Sequence, residues 1–245
     1  MQFLIADTFT SSLSKLTDVE QKQIKTSAFD MQMNPANPGL QFHKLNAARD
    51  PNFWSVRVNR DIRIIVHRSE GRLLLCYVDH HDNAYKWGER RKLETHPKTG
   101  AAQIVEVRET IREIVVPTYV EVPEQPTPQE PALKSCSAED LLDYGVPEDW
   151  IPDLLGANED QILEIVDHLP AEAAEAVIEL AAGGNPAIPE KPKPDEDPFD
   201  HPDTFRRFRV VEDAEMLALA LDYPWEKWAV FLHPSQKAIV EKKFN

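Results

Sequence analysis

Two arginines set the first chemical question: Arg57 in Trp54-Ser55-Val56-Arg57-Val58 and Arg63 in Asp61-Ile62-Arg63-Ile64-Ile65-Val66. In both runs the apolar residues fall mostly on even numbers, the period of a strand with one buried face. A two-residue loop at Asn59-Arg60 would pair Val56 with Arg63 and mix core with solvent. A three-residue loop over residues 59–61 pairs Val58 with Ile62 and Val56 with Ile64. Burial selects the second register, because a slip of one residue turns every side chain to the wrong face. That register sets Arg57 directly opposite Arg63. Facing guanidinium groups repel unless each meets a carboxylate or the site receives an anion. Arginine forks match phosphate oxygens, so a phosphate-binding face is the functional reading. The bland reading is two long side chains lying over a sheet among acidic neighbours.

A second group follows in Asp79-His80-His81-Asp82-Asn83-Ala84-Tyr85. A two-residue turn at Glu70-Gly71 sets Val78 opposite Arg63, and a strand that continues puts His80 on that face. One His, two Arg and a Tyr are the types needed for acid–base work on a phosphodiester. No metal site is expected: successive strand residues point to opposite sides, and no second ligand cluster is visible. Tyr85-Lys86-Trp87-Gly88-Glu89-Arg90-Arg91-Lys92 is basic and carries an indole, which suits nucleic acid or equally a surface helix with Trp87 tucked onto the sheet.

The elements that must hold these residues are readable from caps and periods. Thr17-Asp18-Val19-Glu20 fits a capping box, and Ile24, Ala28 and Met31 form one helical stripe. Asn34-Pro35 and Asn37-Pro38-Gly39 end that helix. Phe9, Leu13 and Leu16 repeat the spacing before it, predicting a helix hairpin. Arg72-Leu73-Leu74-Leu75-Cys76-Tyr77-Val78 is apolar on both faces, as a central strand should be. Residues 102–116 mix apolar and charged positions and fit a strand or a helix.

The whole chain has 245 residues, 42% hydrophobic, with two Cys and a formal charge of −15. That excludes a wholly disordered chain and a disulfide framework, and points to a cytoplasmic protein. Neither a run long enough to span a membrane nor a signal peptide is visible. The charge is split: residues 1–116 carry 17 Lys+Arg against 14 Asp+Glu, and residues 117–245 carry 10 against 28. Proline tracts cut the sequence into 1–116, a linker 117–131, an acidic helical region 132–184, a second linker 185–202, and 203–245. In 132–184, Ser137 is a helix cap, Pro147 opens a first turn, and the stretch from Asn158 to Leu169 is amphipathic. With almost no Lys or Arg, this region reads as a packing module and not a phosphate binder.

The first segment, with its helix hairpin, His43-Lys44-Leu45, Trp54-Ser-Val-Arg57 … Arg63-Ile-Ile-Val66 and Val78-Asp-His80-His81-Asp-Asn-Ala-Tyr85, resembles the RelE/ParE toxin superfamily over about residues 3–92. The resemblance implies an α+β fold with a twisted antiparallel sheet. It also implies either messenger-RNA cleavage on the ribosome, as in RelE-like members, or gyrase poisoning, as in ParE-like ones. Lys44, Arg57, Arg63, His80 and Tyr85 match the family pattern. His81 stands where the toxins usually have Arg, and the Tyr that often ends the middle strand is replaced by Val66 or His67. A missing fixed cation weakens transition-state charge stabilisation.

In 203–245, Phe205-Arg-Arg-Phe-Arg-Val-Val211 has strand character and residues 213–221 read as a helix. Tyr223-Pro-Trp-Glu-Lys-Trp228 … His233-Pro234-Ser-Gln236 is similar to the entry of UvrD-like superfamily 1 helicase motors. There the Gln reads the adenine edge of ATP, a task suited to an amide that donates and accepts. The resemblance assigns that role to Gln236, with His233 and Pro234 shaping the turn. No Gly-rich phosphate loop occurs, so the sequence reads as stopping just before the motor, with no ATPase of its own. No cofactor is expected in this chain; ATP and Mg would enter only with a downstream motor. Three functions follow: an accessory helicase region that binds nucleic acid, RNA or DNA, or a protein partner; a RelE-like endoribonuclease; or an interaction module whose acidic half masks the basic face.

Overall fold

The computed structural model describes residues 1–107, 131–134, 136–189, 197–201 and 203–222. The sequence expectations for 108–116, for most of the linkers and for residues 223–245, including His233, Pro234 and Gln236, lie outside the described residues. The fold is mixed α+β with a mostly antiparallel sheet.

The chain opens with a strand that the sequence reading did not foresee, β1 (Gln2–Ala6). Two helices follow, α1 (Asp7–Leu13) and α2 (Asp18–Met33). The capping box at the start of α2 is present: Thr17 N–H donates to Glu20 Oε2 at 3.0 Å, while the Thr17 side chain accepts from Glu20 N–H. Ile24, Ala28 and Met31 are its buried stripe, as their spacing predicts. Next come β2 (Phe42–Lys44), β3 (Phe53–Arg57), β4 (Ile62–Ser69), β5 (Arg72–His80), α3 (His81–Glu89), β6 (Arg91–Thr95) and β7 (Ala102–Glu106). The ambiguous stretch from 102 is therefore a strand over its first five residues. Gly71 turns β4 into β5 at φ +76°, a conformation glycine adopts without steric cost.

Among the described residues the main sheet runs β2-β3-β4-β5-β1 and ends on β8 (Phe208–Val210). β1 pairs parallel with β5, placing Leu4 beside Leu74 and Ile5 beside Leu75. Leu4, Ile5 and Ala6 are fully buried, as a central strand covered on both faces must be. One face packs on α1 and α2 through Phe9, Leu13, Ile24, Met31, Ile64 and Val78. The other face packs through Phe53, Ile65, Leu74, Cys76 and Ala84, the last on α3.

The acidic region folds into α4 (Ala138–Asp143), α5 (Ile151–Gly156), α6 (Glu159–Val166) and α7 (Ala171–Ala181) around Leu141, Leu154, Ile162 and Val177. Ser137 caps α4 as predicted, and Asn158 caps α6. Trp150 donates its indole N–H to the Glu106 carbonyl at 3.3 Å, and His168 stacks on its ring at 5.2 Å. After it come α8 (Thr204–Arg207), β8 (Phe208–Val210) and α9 (Ala214–Asp222). β8 pairs antiparallel with β1, and Leu217 and Leu221 of α9 enter the core beneath α2. The described residues group into two compact units. One contains 1–95, 101–104 and those from 197 on; the other contains 96–100 and those from 105 to 189. The described part of 203–245 thus belongs to the leading unit, because its strand completes that sheet. Among the described residues no helix is long and apolar enough to cross a membrane.

Candidate phosphate-binding face

The register argued from burial is the one found. Val56 lies opposite Ile64 and Arg57 opposite Arg63. The Val58 N–H donates to the Ile62 carbonyl at 3.1 Å, closing the three-residue loop. Directly opposed residues share a sheet face, so His43, Ser55, Arg57, Arg63 and Tyr77 lie on the face of α3.

The two guanidinium groups converge. Arg57 Nε donates to the carbonyl oxygen of Asn59 at 3.0 Å, and Arg63 Nη1 donates to the same oxygen at 3.0 Å and to the Ile62 carbonyl at 2.9 Å. Among the described residues neither has a carboxylate within ion-pairing distance. The neighbouring acids are held by other groups. Asp61 bonds His80, Asp79 accepts from the Tyr77 hydroxyl at 3.2 Å, and Asp82 lies 2.8 Å from His81 Nδ1. Burial raises the Tyr77 phenol, and the Asp79 charge adds to the rise.

Beside the pair, α3 presents a row of rings. His81 stacks on Tyr85 at 4.5 Å, one helical turn on, and the Tyr85 hydroxyl lies 3.0 Å from Ser55 Oγ. Ser55 was not foreseen as a site residue; the signal available was its odd number, which gives it the parity of Arg57. Trp87 is tucked onto the sheet: it stacks on Tyr77 at 4.6 Å, and the Arg91 guanidinium lies over its ring at 4.8 Å. The ring is already engaged by both groups.

Two expected members are elsewhere. The pairing of Val78 with Arg63 is corrected: Val78 lies opposite Ile64, and Arg63 opposite Asp79. A β-bulge causes this. Val66 faces Leu75 and Ile65 faces Tyr77, leaving Cys76 as the extra residue. One inserted residue exchanges the faces of everything beyond it, so His80 turns to the side of α2. There its Nδ1 lies 2.6 Å from Asp61 Oδ2 and its Nε2 3.8 Å from Glu20 Oε1. The Asp61 hydrogen bond raises the imidazole above its ordinary value against the cost of burial, and the surrounding carboxylates add to the rise. His80 therefore ties the cap of α2 to the β3–β4 loop.

Lys44 is the other. It pairs with Trp54, on the helix-packed side, while its neighbour His43 takes the Ser55 side. Strand alternation alone separates Lys44 from Arg57, Arg63 and Tyr85. Among the described residues no cluster of His, Cys, Asp and Glu could hold a metal ion.

What the α3 face can do is grip an oxyanion with two guanidinium groups that have no carboxylate within ion-pairing distance, although Asp79 stands opposite Arg63 and the Asp61 charge is felt by it. It does not bring together the five side chains that the resemblance selects. Comparison of the chain with protein-family models, with curated proteins and with solved structures gives no match.

Proposed function

We propose that the leading unit is a RelE/ParE-like module that binds the phosphate backbone of nucleic acid without cutting it. In this reading it serves as the accessory N-terminal region of a UvrD-like DNA helicase and has no ATPase of its own. One observation carries the binding claim: Arg57 and Arg63 face each other with no acid between them. A like-charged pair so placed costs free energy until an anion arrives, and arginine forks fit phosphate oxygens. The helix pair followed by an antiparallel meander is the arrangement that the toxin resemblance implies. Binding without cleavage follows from the dispersal of the other groups. His80 is engaged by Asp61, Lys44 is on the other face, and His81 stands where the toxins usually have Arg, a fixed cation. The helicase part rests on the sequence similarity around Tyr223 and Gln236.

The test is salt-dependent binding of the full chain to labelled oligonucleotides, with cleavage followed on gels. Binding should fall with salt, Arg63→Ala should weaken it, and the oligonucleotide should stay intact. Binding that ignores salt or Arg63 refutes the claim. Cleavage of messenger RNA abolished by Arg63→Ala would establish the endoribonuclease instead. A Gly-rich phosphate loop encoded directly after Asn245 would support the helicase assignment, and its absence would refute it.

A further inference from the structure

The residue that alternation removes from the first site belongs to another group. Lys44 lies opposite Trp54 in the β2–β3 pair. Arg68, on the same face of β4, holds its guanidinium 5.4 Å over the Phe42 ring and 6.0 Å over the Trp54 ring. Both rings are partly buried against the helix-side core, while Lys44 and Arg68 are exposed. Among the described residues neither cation has a carboxylate within ion-pairing distance. A guanidinium resting on two aromatic rings is held in place in advance, with part of its donor fork still turned to solvent.

We infer that Lys44, Arg68, Trp54 and Phe42 form a second nucleic-acid contact site, and that single-stranded nucleic acid occupies it by passing round the β2 edge of the sheet from the Arg57–Arg63 face. The ligand class rests on the reading above; the site itself does not depend on the arginine pair. β2 is three residues long and is the end of the sheet, so nothing continues the sheet beyond it among the described residues. Lys44 is on β2 itself and the Arg68 head reaches from β4 over Phe42 of β2, while Arg57 on β3 and Arg63 on β4 lie on the opposite face, one and two strands in from that edge. A duplex, stiff over about 150 base pairs, cannot turn around one strand. A single strand can, and its bases stack on arginine planes and aromatic rings.

The experiment measures affinity of the full chain for single-stranded oligouridylate and oligothymidylate and for a duplex of equal length, at salt between about 50 and 200 mM. The Lys44→Gln/Arg68→Gln variant removes two backbone contacts. At about 0.7 in the log–log slope for each single-strand contact, the slope should drop by about 1.4, so the variant loses about sevenfold less affinity than the wild type across that range. Duplex binding should be unaffected by these substitutions. Arg68→Lys keeps the charge and should keep the slope, and circular dichroism checks the fold of each variant. An unchanged single-strand slope overturns the inference. So does an equal loss on the duplex, or weakened binding of polyglutamate with oligonucleotide binding intact. A lowered slope here with none for Arg57→Gln/Arg63→Gln supports this site and refutes the arginine-pair reading. The reverse refutes this site alone.

Discussion

The facing arginines make a stability prediction that is independent of any ligand. Arg57 Nε and Arg63 Nη1 each lie 3.0 Å from one oxygen, so the two nitrogens are at most about 6 Å apart. Two unit charges at about 6 Å repel by about 0.7 kcal/mol at the dielectric of water and about 2.8 kcal/mol at an effective value near 20. Arg57 is exposed, which selects the lower figure. Arg57→Gln removes the repulsion but also removes one hydrogen bond to Asn59, so its net effect at a single salt concentration says little. The salt dependence separates the two. At about 0.01 M the screening length is about 30 Å and the repulsion is felt; at about 1 M it is about 3 Å and the repulsion is gone. Urea unfolding at both salts should therefore show Arg57→Gln gaining about 0.7 kcal/mol on the wild type as salt is lowered. Arg60→Gln makes the same change in net charge three residues on, in the β3–β4 loop, and serves as the control. If Arg57→Gln shows no more salt dependence than Arg60→Gln, or the opposite sign, the guanidinium groups do not repel and the site is not poised for an anion.

Two further outcomes test the scaffold. Thr17→Ala removes the reciprocal cap of α2 and should cost about 1 kcal/mol in urea unfolding; an unchanged midpoint would mean that packing alone fixes the start of α2. For His80, the raised folded value means that its contribution is fully present below the ordinary histidine value and is lost as pH rises through the folded one. Asp61, lowered chiefly by the His80 hydrogen bond, contributes above its ordinary value and loses that contribution as pH falls through the folded one. The pair is thus worth most between the ordinary Asp and His values, 3.8 and 6.5. Asp61→Asn should return the His80 titration, followed by NMR of the ring protons, toward the ordinary value; an unmoved titration refutes the assignment.

Local structure was legible because local physics decides it. Thr17 and Glu20, or Ser137 and Asp140, satisfy the orphan donors of a helix start within one turn, so their spacing alone announces the cap. The opposition of Arg57 and Arg63 was legible too, since only one loop length keeps Val56, Ile62 and Ile64 on one buried face. The composition of the candidate site was not. Which residues share its face depends on the bulge at Cys76, and a bulge adds no residue type that marks it: the run from Leu73 to Val78 is apolar with or without the extra position. The parity of β2 depends likewise on where a three-residue edge strand joins its neighbour, and this sent Lys44 away from the arginines. The strand at residues 2–6 and its partners at 72–75 and 208–210 are joined across long stretches of chain. No period within a short window encodes which distant strands will meet. The sequence by itself determined the capped helices, the meander and the facing cations; tertiary structure decided strand order and face, and made a helix of 204–207 where strand was expected, because those are set by burial summed over the whole sheet.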